Sequence, residues 1–134
     1  MPDALARPFR VLGALLALGL LVSVVHYADN TINYDDFPVA ASGPNPSRTV
    51  VAVAWFVFTA FGVAGLVLYV RGRVRAAGGC LAIYALSGLV GLAHYTAPGA
   101  TGMPWWRQAH VVADILCGIA ILAFAFWSVG RARA

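Results

Sequence analysis

The stretch RQAHVVADILCG, residues 107–118, decides how this chain is read. It opens the last apolar run and carries a histidine and a carboxylate, His110 and Asp114, four positions apart. On a helix that spacing puts both side chains on one face, one turn apart. Asp114 is the only acid inside any apolar run of the chain. If the run crosses a bilayer, an ionisable group at that depth is expensive and must be paired, protonated or used.

Composition makes the bilayer the natural setting. Of 134 residues, 61% are apolar and 10% charged, against about 45–50% and about 25% in soluble domains. So few charges do not cover the surface of a soluble domain. The expected class is an all-α integral membrane protein. The net charge of +4 sits at the ends of apolar runs and forms no basic patch, which argues for membrane topology and against nucleic acid. The chain has no lysine and no glutamate. Schiff-base chemistry is thereby excluded, and with it retinal and pyridoxal cofactors. Cys80 and Cys117 belong to different runs whose heights differ by roughly 13 Å at ~1.5 Å rise per residue. That is too far for a disulfide, which needs Cα atoms within about 7 Å.

Working outward from residues 107–118, four apolar runs define a four-transmembrane-helix bundle in a single domain. Their bounds are about 9–28, 49–70, 76–95 and 108–129. The first has the basic flank of a signal peptide but is long for one and lacks a convincing cleavage site, so it reads as a retained span. Residues 29–48, DNTINYDDFPVAASGPNPSR, form a breaker-rich loop. Its first half, with Asp29, Asn30, Tyr34, Asp35, Asp36 and Phe37, is expected to fold back over the bundle end. In the third run Cys80, Tyr84, Ser87, Gly91 and His94 recur at spacings of four and three, and Gly19, Ser23 and His26 repeat the pattern in the first. Stripes of small and polar residues face the bundle interior. Trp105 and Trp106 read as an interfacial belt.

Arg7, Arg10, Arg71, Arg73, Arg75, Arg131 and Arg133 fall on one side of the runs, and only Arg48 and Arg107 on the other. The positive-inside rule then places both termini and the RGRVR turn in the cytoplasm, with the two Pro/Gly-rich loops outside the plasma membrane. Counted from the cytoplasmic arginines, His26, Asp29, His94, Asp114 and His110 lie at heights of ~24, ~28, ~28, ~25 and ~31 Å. All three histidines and two aspartates therefore share one layer near the outer edge of a ~30 Å hydrocarbon core.

That layer admits four chemistries. Neutral imidazoles and carboxylates at helical spacing are ligands for a transition metal (Zn, Cu or Fe), with His26, His94, His110 and Asp114 as the ligand set. Asp29 would then be a second partner or general base beside a catalytic Asp114. The protein would be an enzyme or redox-accessory protein acting on a lipid-soluble or periplasmic substrate. Alternatively, His26 and His94 ligate haem b, with Ser87, Gly88 and Gly91 making room and Arg48 or Arg107 meeting the propionates. Asp114 is otherwise the coupling acid of a small transporter, or a register pin in a structural subunit that only hydrogen-bonds His110 or His94. Four spans make a thin bundle, so a homo-oligomer is also expected.

The topology is testable directly. Cysteine accessibility or reporter fusions should place Arg73 and the C-terminus inside, and Pro44 and Gly99 outside. A cytoplasmic Gly99 would overturn the orientation and the compartment of the histidine layer.

Overall fold

The computed structural model of the chain describes residues 3–39 and 45–132, with side chains from Arg7 onward. Pro44 and Arg133, used above for topology, lie outside the described residues, as does the middle of the long loop. The described residues are helical and include no strand. Four helices follow one another: α1 (Asp3–Ile32), α2 (Arg48–Val70), α3 (Val74–Leu89) and α4 (Trp105–Arg131). Together with a 3-10 extension of α3 to Thr96, all four are long and apolar enough to cross a membrane.

The helix ends follow from local chemistry. α1 runs four residues farther than the apolar pattern predicts, through Ala28-Asp29-Asn30 to Ile32, before a short 3-10 turn at Tyr34–Asp36. Asp29 thus belongs to the last helical turns, not to the loop. Ser47 caps α2, its hydroxyl accepting from the Val50 amide at 3.4 Å. The α2–α3 turn is tight because Gly72 adopts a left-handed φ of 73°, letting the Arg73 amide reach back to the Leu68 carbonyl at 2.9 Å. At Val90 the third helix tightens into a 3-10 turn that carries His94. Short 3-10 segments of this kind often sit at helix ends and functional positions.

Each helix packs on its chain neighbours, and α1 closes the ring against α4. The inward residues form two apolar clusters. One, at the end carrying Arg71 and Arg131, joins Leu12, Leu81, Tyr84, Ile121 and Phe124. The other, at the end carrying the histidines, joins Phe37, Met103, Val111 and Ile115. The outward faces are apolar as well: Leu21, Phe56, Val63, Leu116 and Phe126 are each more than half exposed. Helices apolar all round suit lipid on the outside and protein on the inside.

The small-residue stripes lie inward, as the spacing predicts: Ser23, Tyr84, Ser87 and Gly91 are buried. The closest backbone approach, however, is made by two other glycines. A Cβ on Gly88 would overlap the backbone carbonyl of Asp114, and one on Gly118 would come within 2.7 Å of the Ala85 carbonyl. α3 and α4 touch there backbone to backbone, a contact only glycine permits.

Gly88→Ala should therefore destabilise by about 1–3 kcal/mol, the usual range for overpacking. Gly79→Ala, at a glycine with open space around it, should change little. Detergent thermal unfolding of both variants checks this. Equal melting temperatures would mean that the α3–α4 approach carries no stability.

Candidate functional site

Two polar networks occupy the histidine end of the bundle. The first links three helices through a line of nitrogens. The Nδ1 of His26 (α1) donates to Oδ2 of Asp114 (α4) at 2.7 Å, both side chains being almost wholly buried. The Nε2 of His26 lies 3.4 Å from Nε2 of His94, on the 3-10 extension of α3. Asn30, one turn beyond His26, places its side-chain amide 3.1 Å from the same His94 nitrogen.

The protons in this line are constrained. A carboxylate only accepts, so Asp114 fixes the proton of neutral His26 on Nδ1 and leaves its Nε2 a bare acceptor. His94 must then donate from its own Nε2, with Asn30 turned to offer its oxygen. Otherwise two lone pairs face each other across 3.4 Å, and a proton or another cation must sit between them. Net charge points the same way. One carboxylate and two neutral imidazoles sum to −1, and one added proton makes the buried group neutral.

The second network is built on a buried ion pair between Arg107 and Asp29. Arg107, in the first turn of α4, holds Asp29 with two bonds, Nε to Oδ2 at 2.8 Å and Nη2 to Oδ1 at 3.3 Å. Asn33 donates to Oδ1 at 2.7 Å, and His110 Nε2 donates to Oδ2 at 3.1 Å. Arg107 also reaches the carbonyl and Oδ2 of Asp36, both at 3.4 Å. Its guanidinium stacks on Phe37 and Trp106, at 4.6 and 5.0 Å from the ring centroids. This network ties the end of α1, the 3-10 turn and the start of α4 together. It also pulls Phe37 under the loop to lie 5.0 Å from the His94 ring, so this part of the loop does fold over the bundle end.

Every site residue expected from the sequence thus lies at one end of the bundle; His26 and His94 face each other as expected, whereas His110 and Asp114 do not pair. His110 and Asp114 share a face of α4 and have separate partners, Asp29 and His26. The His26 ring is 5.5 Å from both the His94 and the His110 ring. The Nδ1 of His110 is buried with no hydrogen-bond partner. Among the described residues no group of three or more His, Cys, Asp or Glu side chains is arranged to hold a metal ion. From the sequence alone Arg107 serves only as a topology signal and a propionate partner. Its isolation on the arginine-poor side, next to an apolar run, is the sequence sign of a buried ion pair. Tyr27, which donates to the Ser87 carbonyl at 3.0 Å, and Trp55, which donates to Ser23 at 3.2 Å, carried no such sign.

A cavity of about 520 Å³ opens beside the first network, between α1, α2 and the 3-10 segment. Asn30 and His94 stand at its polar side, and Val51, Ala54, Phe58 and Val90 make an apolar wall. Tyr34 and Pro46 lie over it, tied by a 2.7 Å bond from the Tyr34 hydroxyl to the Pro46 carbonyl. No family model, curated protein or solved structure matches the chain.

The buried ion pair yields its own expectation. Asp29→Asn strips Arg107 of its buried countercharge, leaving only the exposed Asp36, and should destabilise by about 3–5 kcal/mol. Asp29→Leu combined with Arg107→Met should recover much of that loss, because no lone charge remains. A double-mutant cycle on thermal unfolding measures the coupling. Additive losses would show that the pair does not hold α1 to α4.

Proposed function

We propose that this is a multi-pass protein of the cell membrane whose histidine end, on the outer face, binds a lipid-soluble small molecule and exchanges a proton with it. The observation that carries this reading is the unbroken line Asp114–His26–His94, which runs from the buried interior to the wall of the cavity. His94 Nδ1 has no hydrogen-bond partner among the described residues, so it is free to meet a bound molecule. A proton taken there lets His94 pass its Nε2 proton to Nε2 of His26, whose Nδ1 proton shifts toward Asp114. The reverse sequence returns it. Asp114 supplies the negative charge that makes the uptake favourable and orients the ring, in the manner of a general-base pair.

The described hydrogen bonds carry the line to Asp114 and no farther. A proton that enters therefore leaves by the same end, which favours acid–base catalysis on a bound molecule over proton transport across the membrane. Asp29 is a positioning group in this reading, because Arg107 occupies both its oxygens. An apolar wall with few polar groups is the usual make-up of a small-molecule site.

A transition-metal reading has one observation in its favour. Two imidazoles on one tetrahedral ion, with bonds of about 2.0–2.1 Å, hold their nitrogens roughly 3.3–3.4 Å apart. His26 and His94 stand at 3.4 Å, with Asp114 on the far nitrogen of His26, where metal-bound histidines commonly carry a carboxylate. His110, with its orphaned Nδ1 and its ring 5.5 Å from that of His26, would be a further imidazole for such a site. Packing gives the haem alternative no support, since Phe37, Asn30 and His110 crowd the two rings a porphyrin would have to separate.

One preparation separates these readings. Purified protein is extracted with organic solvent for mass spectrometry, and its metal content and visible spectrum are recorded. The proton-exchange reading expects a lipid-soluble molecule enriched over bulk lipid, lost in Ala54→Phe, which fills the cavity. Asp114→Asn should keep that molecule but lose its conversion, because the amide keeps the shape and not the charge. The metal reading expects near-stoichiometric Zn, Cu or Fe, lost in His26→Ala and His94→Ala. It should also leave as pH falls through roughly 6, because free imidazole protonates near ~6.5. No enriched molecule, or the same one in Ala54→Phe, sinks the first reading. Metal-free protein that binds no added Zn or Cu sinks the second.

A further inference from the structure

The opposite end of the bundle has a second cleft, of about 700 Å³, between the first turns of α1 and the last turns of α4. Its floor is apolar: Leu15 from α1 faces Ala120, Ala123 and Phe124 from α4. The two alanines sit between bulkier neighbours on α4 and leave a trough along the helix axis. Arg7 and Arg131 stand at its rim.

Neither arginine has an acidic partner among the described residues. Arg131 lies over the Trp127 ring at 4.9 Å, and Arg7 makes no ion pair with any described side chain. The acid nearest to Arg7 in sequence is Asp3, one turn earlier. Two uncompensated guanidiniums therefore border an apolar trough, at the end where the chain's arginines collect. Guanidinium forks match phosphate oxygens, and a Trp–Arg pair suits the zone between headgroups and acyl chains.

We propose that this cleft binds an anionic phospholipid, its phosphate held between Arg7 and Arg131 and one acyl chain lying in the trough. The apolar floor selects a lipid over a soluble anion. Two cations without a nearby described acid select an anionic headgroup over a zwitterionic one. Basic pockets between apolar helices are common sites for such headgroups in the cytoplasmic leaflet. The site shares no residue with the histidine end and stands whatever the chemistry there.

Native mass spectrometry of the delipidated full-length protein in detergent tests it, with phosphatidylglycerol and phosphatidylcholine supplied in equal amounts. Phosphatidylglycerol should bind about thirty-fold more tightly, which is about 1 kcal/mol for each arginine. The double variant Arg7→Gln/Arg131→Gln should lose that preference, and the corresponding double Lys variant should keep most of it. Ala123→Trp should lose the lipid with both arginines in place, because the ring fills the trough. Far-UV circular dichroism and thermal unfolding confirm that each variant is folded, and a variant that is not is replaced by the matching change at Ala120. Equal retention of the two lipids overturns the proposal, as does a preference that survives in the double Gln variant. Displacement by glycerol phosphate at similar concentration assigns the site to a soluble anion. A dimer that covers the cleft without lipid assigns it to a second copy. Either of these also overturns it.

Discussion

The hydrogen bond from His26 Nδ1 to Asp114 Oδ2 is the interaction on which the histidine end depends. Asp114 is about 2% exposed, so water does not share its charge. A carboxylate in such a place is tolerated only with a partner that neutralises it or accepts its field. His26 is that partner, and it is equally buried. The bond fixes the His26 proton, turns the second ring nitrogen outward, and so dictates what His94 and Asn30 must present to it. One interaction sets the hydrogen-bonding roles of four side chains from three segments.

The two polar networks divide the work by charge. Arg107 and Asp29 form a pair whose charges cancel without any movable proton, reinforced by Asn33, His110 and Asp36. Such a pair suits anchoring, and it anchors the first turn of α4 to the last turns of α1. The Asp114–His26–His94 group is neutral only when one proton is shared along it, and that proton can change place. A fixed network beside an adjustable one suits a site that must stay assembled while it takes up and returns a proton. The glycines serve the same end. Gly88 lets α3 lie against the Asp114 backbone itself, and α3 in turn sets the position from which its 3-10 extension offers His94.

Much of this is legible in the sequence. Helix number, the inward stripes and the common height of His26, Asp29, His94, His110 and Asp114 all follow from counting residues. The exchange of partners did not. His110 and Asp114 at i and i+4 suggested a chelating pair, yet each faces a different residue of α1, because His26 and Asp29 are themselves three positions apart and meet α4 one turn from each other. The last turns of α1 have the composition of a loop, since Asp29 and Asn30 are ordinary breakers, yet they are helical to Ile32. Arg107 and His110 keep that segment helical by binding Asp29 from outside it.

The sequence by itself determined the heights of the groups along the bundle, because backbone hydrogen bonding fixes the rise per residue at about 1.5 Å whatever the side chains do. It also determined which faces are apolar, since hydropathy repeats with the helical turn. Only the tertiary structure decided which groups touch. Contact between helices depends on their rotation and separation, and these were set by glycines at the α3–α4 crossing and by an arginine that crosses to α1. Neither quantity is encoded in any one segment, because each is a property of two surfaces meeting. The cavity beside His94 is of the same kind, bounded by α1, α2, the 3-10 segment and the returning loop, and absent from each of them alone.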